Sequence, residues 1–112
     1  MLDMNSMMGK VQEAQQKLKE AQDNLINITA EGEAGAGMVK ATVNGKRQVV
    51  NLTFDKSLLS EQDKEMLQDL TVAAINKAIE NIEPKIKEEM GKATSGVIPN
   101  IPGMDLGNMM NF

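Results

Sequence analysis

The segment Glu65–Ile82 reads EMLQDLTVAAINKAIENI, and its apolar pattern constrains the fold of the whole chain. On an α-helix, residues three or four positions apart form one apolar stripe, consisting of Leu67, Leu70, Ala74, Ala78 and Ile82. Further apolar residues widen the stripe beyond the ~100° of an ordinary surface helix: Met66, Val72, Ala73, Ile75 and Ile79. Such a helix needs apolar cover on two sides. A small sheet formed by the same chain can cover one of them. The pattern therefore predicts a homodimer, the alternative being the central helix of a larger monomeric core.

Length and composition limit both the size and the chemistry of the protein. The 112 residues suffice for one domain and include no Cys, His, Trp or Tyr. Without thiol or imidazole groups, we expect no transition-metal site, no cofactor and no enzyme acting on a small-molecule substrate. No run of about 18 apolar residues could span a membrane. Because Met1–Lys10 also lacks the basic start and apolar core of a signal peptide, we expect a cytoplasmic protein.

Charge is distributed unevenly along the chain. The formal net charge of −4 and the sequence pI of about 4.8 disfavour indiscriminate binding to nucleic acid. Residues 37–56 nevertheless carry four basic side chains and one acidic one, for a net +3. Residues 57–90 carry four basic and eight acidic ones, for a net −4. This segregation favours a localised positive surface, the alternative being an ordinary solvated surface of mixed charge.

Residues 2–25 are predicted to form the first helix. Apolar residues recur in two seams with seven-residue spacing: Met4, Val11, Leu18 and Leu25 in one, and Met7, Ala14 and Ala21 in the other. This heptad pattern predicts contact with another helix, either in a partner chain or in the same chain. Gly9 weakens the first turns by about 1 kcal/mol relative to Ala, so we expect a firm helix from Lys10 onward.

Three strands are predicted between the helices, because the apolar period changes to two at residues 26–33. The glycine-rich segment 33–37 is predicted to be a turn. Met38–Val43 then leads into Asn44-Gly45, a dipeptide typical of two-residue hairpin turns. The third strand is predicted to end at Asp55, which completes a three-stranded antiparallel meander.

A two-residue turn at Asn44-Gly45 would fix the pairing of the second and third strands. It places Val43 opposite Lys46 and Val39 opposite Val50. The face directed to the core would then consist of Val39, Ala41, Val43, Val50, Leu52 and Phe54. The polar face would consist of Lys40, Thr42, Arg47, Asn51 and Thr53, with Lys40 and Arg47 as diagonal neighbours.

The second helix is predicted from about Glu61 to beyond Ile82. Pro84 removes one backbone hydrogen bond and clashes with the carbonyl of Glu80, so we expect a kink there and a helix end near Gly91. Residues 93–112 have no apolar period and are predicted to be a flexible tail rich in Gly, Pro and Met, following a domain at residues 1–92.

Five short motifs in this order resemble the YbaB/EbfC family of small bacterial nucleoid-associated proteins. They are Gly35-x-Gly-x-Val39, Thr42-Val-Asn-Gly-Lys46, Asp55-x-Ser-Leu-Leu59, Glu65-Met-Leu-x-Asp-Leu70 with Ala73-Ala-x-Asn-x-Ala78, and Met90-Gly-Lys-x-Thr-x-Gly96. The resemblance implies an α+β protomer of order α-β-β-β-α, with the meander between two long helices, and a tweezer-like homodimer. It also implies binding to double-stranded DNA in the nucleoid with little or loose sequence preference, and no catalytic residue.

The candidate DNA-binding residues are chosen on charge, because no motif of the family identifies its DNA contacts in this sequence. They are Lys40, Arg47, Lys46, Lys10, Lys17 and Lys19. The predicted function is that of a dimeric nucleoid-associated protein that affects nucleoid organisation and gene expression. The alternative is a non-enzymatic scaffold for replication or repair partners that does not itself bind DNA.

Overall fold

The computed structural model describes residues 4–94. Helix α1 (Met4–Asn24) is followed by a 3₁₀ turn at Leu25–Asn27. Strands β1 (Thr29–Ala34), β2 (Val39–Asn44) and β3 (Val49–Phe54) come next. Two further 3₁₀ turns, Lys56–Leu58 and Glu61–Asp63, lead into helix α2 (Lys64–Thr94). This order confirms the predicted α-β-β-β-α protomer. The predicted tail falls outside the described residues from position 95 onward.

Helix α2 forms the core by packing on the sheet and on α1. Its buried side chains recur every fourth residue and form one continuous stripe: Ala74, Ala78, Ile82, Ile86 and Met90. The stripe predicted from Glu65–Ile82 is therefore confirmed at its C-terminal half, while Leu67 and Leu70 are half-buried. The small Ala74 and Ala78 face the sheet, and the larger residues after them face the junction of α1 and the strands.

Gly32 on β1 determines how closely α2 approaches the sheet. A Cβ atom built at this glycine would overlap the backbone N of Ala78 and the backbone O of Ala74. The backbones of strand and helix are thus in direct contact, without side chains between them. Only glycine permits this approach, because every other residue would push α2 away from β1.

The sheet has the order β1-β2-β3 with both pairings antiparallel, as predicted. The predicted register of β2 and β3 is wrong. Val39 pairs with Phe54 instead of Val50, and the ladder contains a bulge because Val43 pairs with Val49 while Thr42 pairs with Asn51.

The β2–β3 turn explains this shift in register. The turn is three residues long, Gly45 to Arg47, with Arg47 at φ +61° and the amide of Asn44 donating to the carbonyl of Gln48. The buried Asn44 side-chain oxygen accepts from the amides of Lys46 (2.9 Å) and Gln48 (3.1 Å). Leu25 also contributes, since its carbonyl accepts from the Gly45 amide at 2.8 Å. These bonds stabilise the longer loop over the two-residue turn.

The predicted core face of the sheet is correct for β2 and wrong in part for β3. Val39, Ala41 and Val43 are fully buried, whereas Val50 and Phe54 remain 53% and 39% exposed. The physical reason is the position of α2, which lies over β1 and β2 and leaves the edge strand β3 without a covering layer.

Helix α2 continues through Pro84 to Thr94, so the predicted helix end near Gly91 is wrong. Proline at this position does not stop the helix, as expected from the apolar phase. Ile86 and Met90 are buried one turn apart after the proline, and their burial favours continued helix at the expense of one backbone hydrogen bond.

Candidate nucleic-acid interface

The predicted pair of Lys40 and Arg47 is not formed, because the two residues lie at opposite ends of β2. Lys40 pairs with Thr53 near the β1–β2 turn, and Arg47 lies within the β2–β3 turn. The rise along the strand from Lys40 to Asn44 alone separates them by about 13 Å. The shift in register therefore divides the predicted polar patch into two parts, with Lys46 beside Arg47 at one end.

Two of the candidate lysines make single ion pairs on the surface. The Lys40 Nζ atom lies 3.4 Å from Glu33 Oε1 on the neighbouring strand. The Lys17 Nζ atom lies 3.3 Å from Glu13 Oε1, one helical turn away on α1. All four side chains are about half exposed, so each pair contributes about 0–1 kcal/mol to stability.

Arg47 is held more firmly by Glu83 of α2. Its Nε and Nη2 atoms donate to Glu83 Oε1 and Oε2 at 2.5 Å and 2.9 Å, a bidentate arrangement. The hydrogen bond from Arg47 lowers the pKa of Glu83, and the same bond raises the pKa of Arg47. The pair joins the β2–β3 turn to α2 immediately before Pro84. Arg47 is therefore already occupied by an anion of its own chain.

The remaining candidates are exposed, and their ammonium groups make no ion pair or hydrogen bond within residues 4–94: Lys10, Lys19 and Lys46. Lys10 and Lys19 lie on α1, nine residues and about 13 Å apart along the axis. Lys46 lies at the base of α1, because the adjacent Gly45 donates its amide to Leu25. These free cations lie at intervals along α1 and its base rather than on the face of the sheet.

Sequence reasoning missed the acidic partners of these side chains. Glu83 is 36 residues from Arg47, and no local pattern links the two positions. Glu33 and Lys40 are partners across the β1–β2 ladder, so a correct register for that hairpin would have paired them. Glu13 and Lys17 have the i,i+4 spacing of helical ion pairs, which is a usable signal in the sequence.

Helix α2 donates side-chain hydrogen bonds to one edge of the sheet and not to the other within the described residues. On the β1 edge, Asn81 Nδ2 donates to the carbonyl of Glu31 at 2.8 Å and Lys85 Nζ donates to that of Thr29 at 2.7 Å. No comparable bond from α2 reaches the outer edge of β3 within the described part of the chain. Because Glu83 reaches the β2–β3 turn, the side of α2 that carries Ile79, Ile75 and Val72 faces β3.

An apolar surface consequently lies between β3 and this side of α2. We call it the β3–α2 surface; it comprises Val49, Leu52, Phe54, Val72, Ile75 and Ile79, all exposed or half-buried. Residues 4–94 contain no group of three or more acidic side chains placed to hold a metal ion. No helix in the same range is long and apolar enough to cross a membrane.

The fold defines a small α+β protein with a protruding helix, exposed basic side chains and an uncovered apolar surface. The chain matches the model of the YbaB/EbfC DNA-binding family over residues 1–97 and belongs to that family. It is 39% identical over 102 residues to the nucleoid-associated protein TTE0040 of Caldanaerobacter subterraneus subsp. tengcongensis, covering 91% of this chain and 90% of the relative.

One further relative and one solved structure are also similar to this chain. The chain is 45% identical over 98 residues to the nucleoid-associated protein Cphamn1_1179 of Chlorobium phaeobacteroides, covering 88% of this chain and 86% of the relative. Its fold resembles the crystal structure of the uncharacterised protein HP0035 of Helicobacter pylori, with a TM-score of 0.67 and 24% identity. That match covers 82% of this chain and 97% of the other, and it supports the fold alone.

Proposed function

We propose that this protein is a non-enzymatic, nucleoid-associated homodimer that binds double-stranded DNA through its phosphates, in the cytoplasm of a bacterium. The observation that carries the proposal is membership of a DNA-binding family across residues 1–97. Relatives about 40% identical are named nucleoid-associated proteins, which supports the same location for this chain. Effects on nucleoid organisation and gene expression would follow from such binding.

The homodimer is supported by the β3–α2 surface. Isolated apolar side chains are common on protein surfaces, whereas a continuous apolar patch between an edge strand and a helix marks an interaction site. The β1 edge is blocked by Asn81 and Lys85, so the open β3 edge is the one available for contact with a second copy. A second protomer would cover Phe54 and Val72 and would double the number of exposed lysines.

Phosphate contacts are supported by the exposed basic side chains and by the composition of the chain. Lys10, Lys19 and Lys46 carry charges that no acidic side chain of residues 4–94 neutralises. Lysine binds phosphate as a point charge without reading base edges, so contacts of this kind carry little sequence preference. A chain with two Phe and no Trp or Tyr also lacks an aromatic platform for stacking on bases.

Gel shifts at low salt on two duplexes of equal length and unrelated sequence would test DNA binding. We expect retention of both duplexes with similar affinity, decreasing steeply with added salt. Absence of retention at low salt, by a folded protein, would instead favour a scaffold that acts through protein partners.

The dimer is tested separately by mass measurement in solution. The parent should have twice the 12.2 kDa mass of the chain. Phe54→Glu combined with Val72→Glu should shift it toward the monomer, because each charge would have to be buried at the interface. Met8→Glu is the control, since Met8 is about as exposed as Val72 but lies on α1, away from the β3–α2 surface. A parent that remains monomeric at micromolar concentration would refute the dimer.

A further inference from the structure

Helix α2 runs beside strand β1 and bonds to the β1 backbone at two points. The Asn81 Nδ2 atom donates to the carbonyl of Glu31 at 2.8 Å. One helical turn later, the Lys85 Nζ atom donates to the carbonyl of Thr29 at 2.7 Å. Four helical residues rise about 6 Å and two strand residues rise about 6.7 Å, so the spacing of the donors matches that of the acceptors. The two bonds therefore form a regular series along the strand.

The acceptors are backbone groups that a further strand would need. Strand β1 lies at one edge of the sheet, because the strand order is β1-β2-β3. Successive residues of an antiparallel edge strand direct their backbone groups alternately toward the neighbouring strand and toward the open edge. The carbonyls of Thr29 and Glu31 reach α2, so positions 29, 31 and 33 face the open edge. Asn81 and Lys85 thus occupy two of the three carbonyls there.

The side chains of the two edge strands differ in the same sense. Glu31 and Glu33 are exposed on β1, and a second strand bearing acidic residues would be repelled by them. Strand β3 reads VVNLTF and contains no charged residue, no Gly and no Pro. Among residues 4–94, no side chain of α2 bonds to the backbone of β3. The sheet therefore has one edge closed to strand pairing and one edge open to it.

We propose that Glu31, Asn81 and Lys85 exclude a second copy of this chain from the β1 edge and restrict strand pairing between copies to β3. This inference rests on the proposed homodimer, and the three residues lie outside the β3–α2 surface. A dimer that uses β3 of both copies has no free β3 edge and is closed. If β1 could pair as well, each dimer would have two open edges and would grow without an end.

The test variant combines Glu31→Thr, Asn81→Ala and Lys85→Ala in the full chain. It removes both donors and the charge at the centre of the β1 edge. Because it loses one acidic and one basic side chain, the net charge stays at −4. All three side chains are exposed, so helix content measured by circular dichroism should equal that of the parent.

The control variant makes the same kind of change on α1, away from the sheet. It combines Glu13→Ala, Gln16→Ala and Lys17→Ala, and it also removes one acidic, one amide and one basic side chain. Glu13 and Lys17 form an ion pair with each other, and Gln16 donates to Glu20 on the same helix. Its net charge is also unchanged.

Light scattering at a series of micromolar concentrations compares the two variants with the parent. The parent and the control should have twice the 12.2 kDa chain mass. The test variant should exceed about four times the chain mass and grow further with concentration, because its association has no closed end. If the triple variant lost helix content, Asn81→Ala with Lys85→Ala, which leaves β1 unchanged, should still exceed the mass of the parent.

A folded test variant with the same mass as the parent would overturn the inference, whatever the mass of the parent. Equal growth of the control would also overturn it, since the effect would not be specific to β1. A parent of single-chain mass would instead refute the homodimer, so the two failures are distinguishable.

Hydrogen exchange followed by mass spectrometry locates the new contact. The outward amides of residues 29–34 should exchange about tenfold more slowly in the test variant than in the parent, because a second strand would accept from them. Unchanged exchange in this segment of a test variant that has grown would show that the copies associate elsewhere, and it would overturn the inference.

Discussion

At the scale of single residues, the bidentate contact between Arg47 and Glu83 shows how one pair determines whether a candidate binding residue is available. Charge alone makes Arg47 as good a phosphate ligand as Lys46, its neighbour in the sequence. Once the turn places Arg47 against α2, its donors are shared with a carboxylate of the same chain. Lys46 keeps its charge available to solvent. The difference between the two neighbours arises from tertiary structure and has no counterpart in composition.

The Arg47–Glu83 pair predicts a pH-dependent contribution to stability. The pKa of Glu83 is lower in the folded protein than the ordinary carboxyl pKa of 4.5. The stability that Glu83 contributes is therefore fully present above pH 4.5 and is lost as the pH falls through the folded-state pKa. Because the side chains are 39% and 34% exposed, Glu83→Gln should cost only about 0.5–1 kcal/mol at pH 7. The difference from the parent should vanish well below pH 4.5.

Urea denaturation at pH 7 and at a pH well below 4.5, with the same protein concentration in both, measures this effect. Glu80→Gln is the control, since Glu80 lies one helical turn earlier on an exposed part of α2 and has no ion pair in the described residues. A cost for Glu83→Gln that is the same at both pH values would show that the carboxylate charge is not what stabilises the turn.

At the scale of secondary-structure elements, the contact between β1 and α2 depends on a single missing side chain. Gly32→Ala adds a methyl group where the backbone of α2 lies. The helix must therefore move away from the sheet at the position of its buried stripe. We expect a loss of at least about 2 kcal/mol in the free energy of unfolding. Gly9→Ala adds the same group to an open position on α1 and should gain about 0.5–1 kcal/mol.

Chemical denaturation of both variants under identical conditions provides the comparison. If Gly32→Ala unfolded at the same denaturant concentration as the parent, the result would contradict the direct backbone contact between β1 and α2. A loss of stability in Gly9→Ala as large as that in Gly32→Ala would show that both effects come from helix propensity or the unfolded state rather than from packing.

The elements that could be predicted from the sequence are those set by local periodicity. The apolar stripe of α2 that ends at Ile82 and the alternation of apolar and polar residues before Ala34 each depend on residues a few positions apart. Both are present in the structure. The register of β2 and β3 could not be predicted, because the buried Asn44 side chain and the Leu25 carbonyl together select a three-residue turn. The exposure of Phe54 was missed for a similar reason, since it depends on which strands α2 crosses.

At the scale of the whole molecule, the protein combines an acidic net charge with cations, Lys10, Lys19 and Lys46 among them, that no ion pair within residues 4–94 neutralises. The net charge of −4 restricts nonspecific attraction to DNA, so binding has to come from particular positions. A dimer would present two copies of α1, each with Lys10, Lys19 and Lys46 exposed along it and at its base. The arrangement accounts for an acidic protein in a DNA-binding family without requiring a groove-reading helix.

The salt dependence of DNA affinity tests this account most directly, using two variants with equal change in net charge. One replaces the unpaired Lys10, Lys19 and Lys46 by Gln, and the other replaces the paired Lys17, Lys40 and Arg47 by Gln. We predict that the unpaired set lowers the slope of log affinity against log salt by roughly 0.9 for each phosphate that is no longer neutralised. The paired set should stay closer to the parent slope. A greater decrease of the slope in the paired set than in the unpaired set would contradict the account.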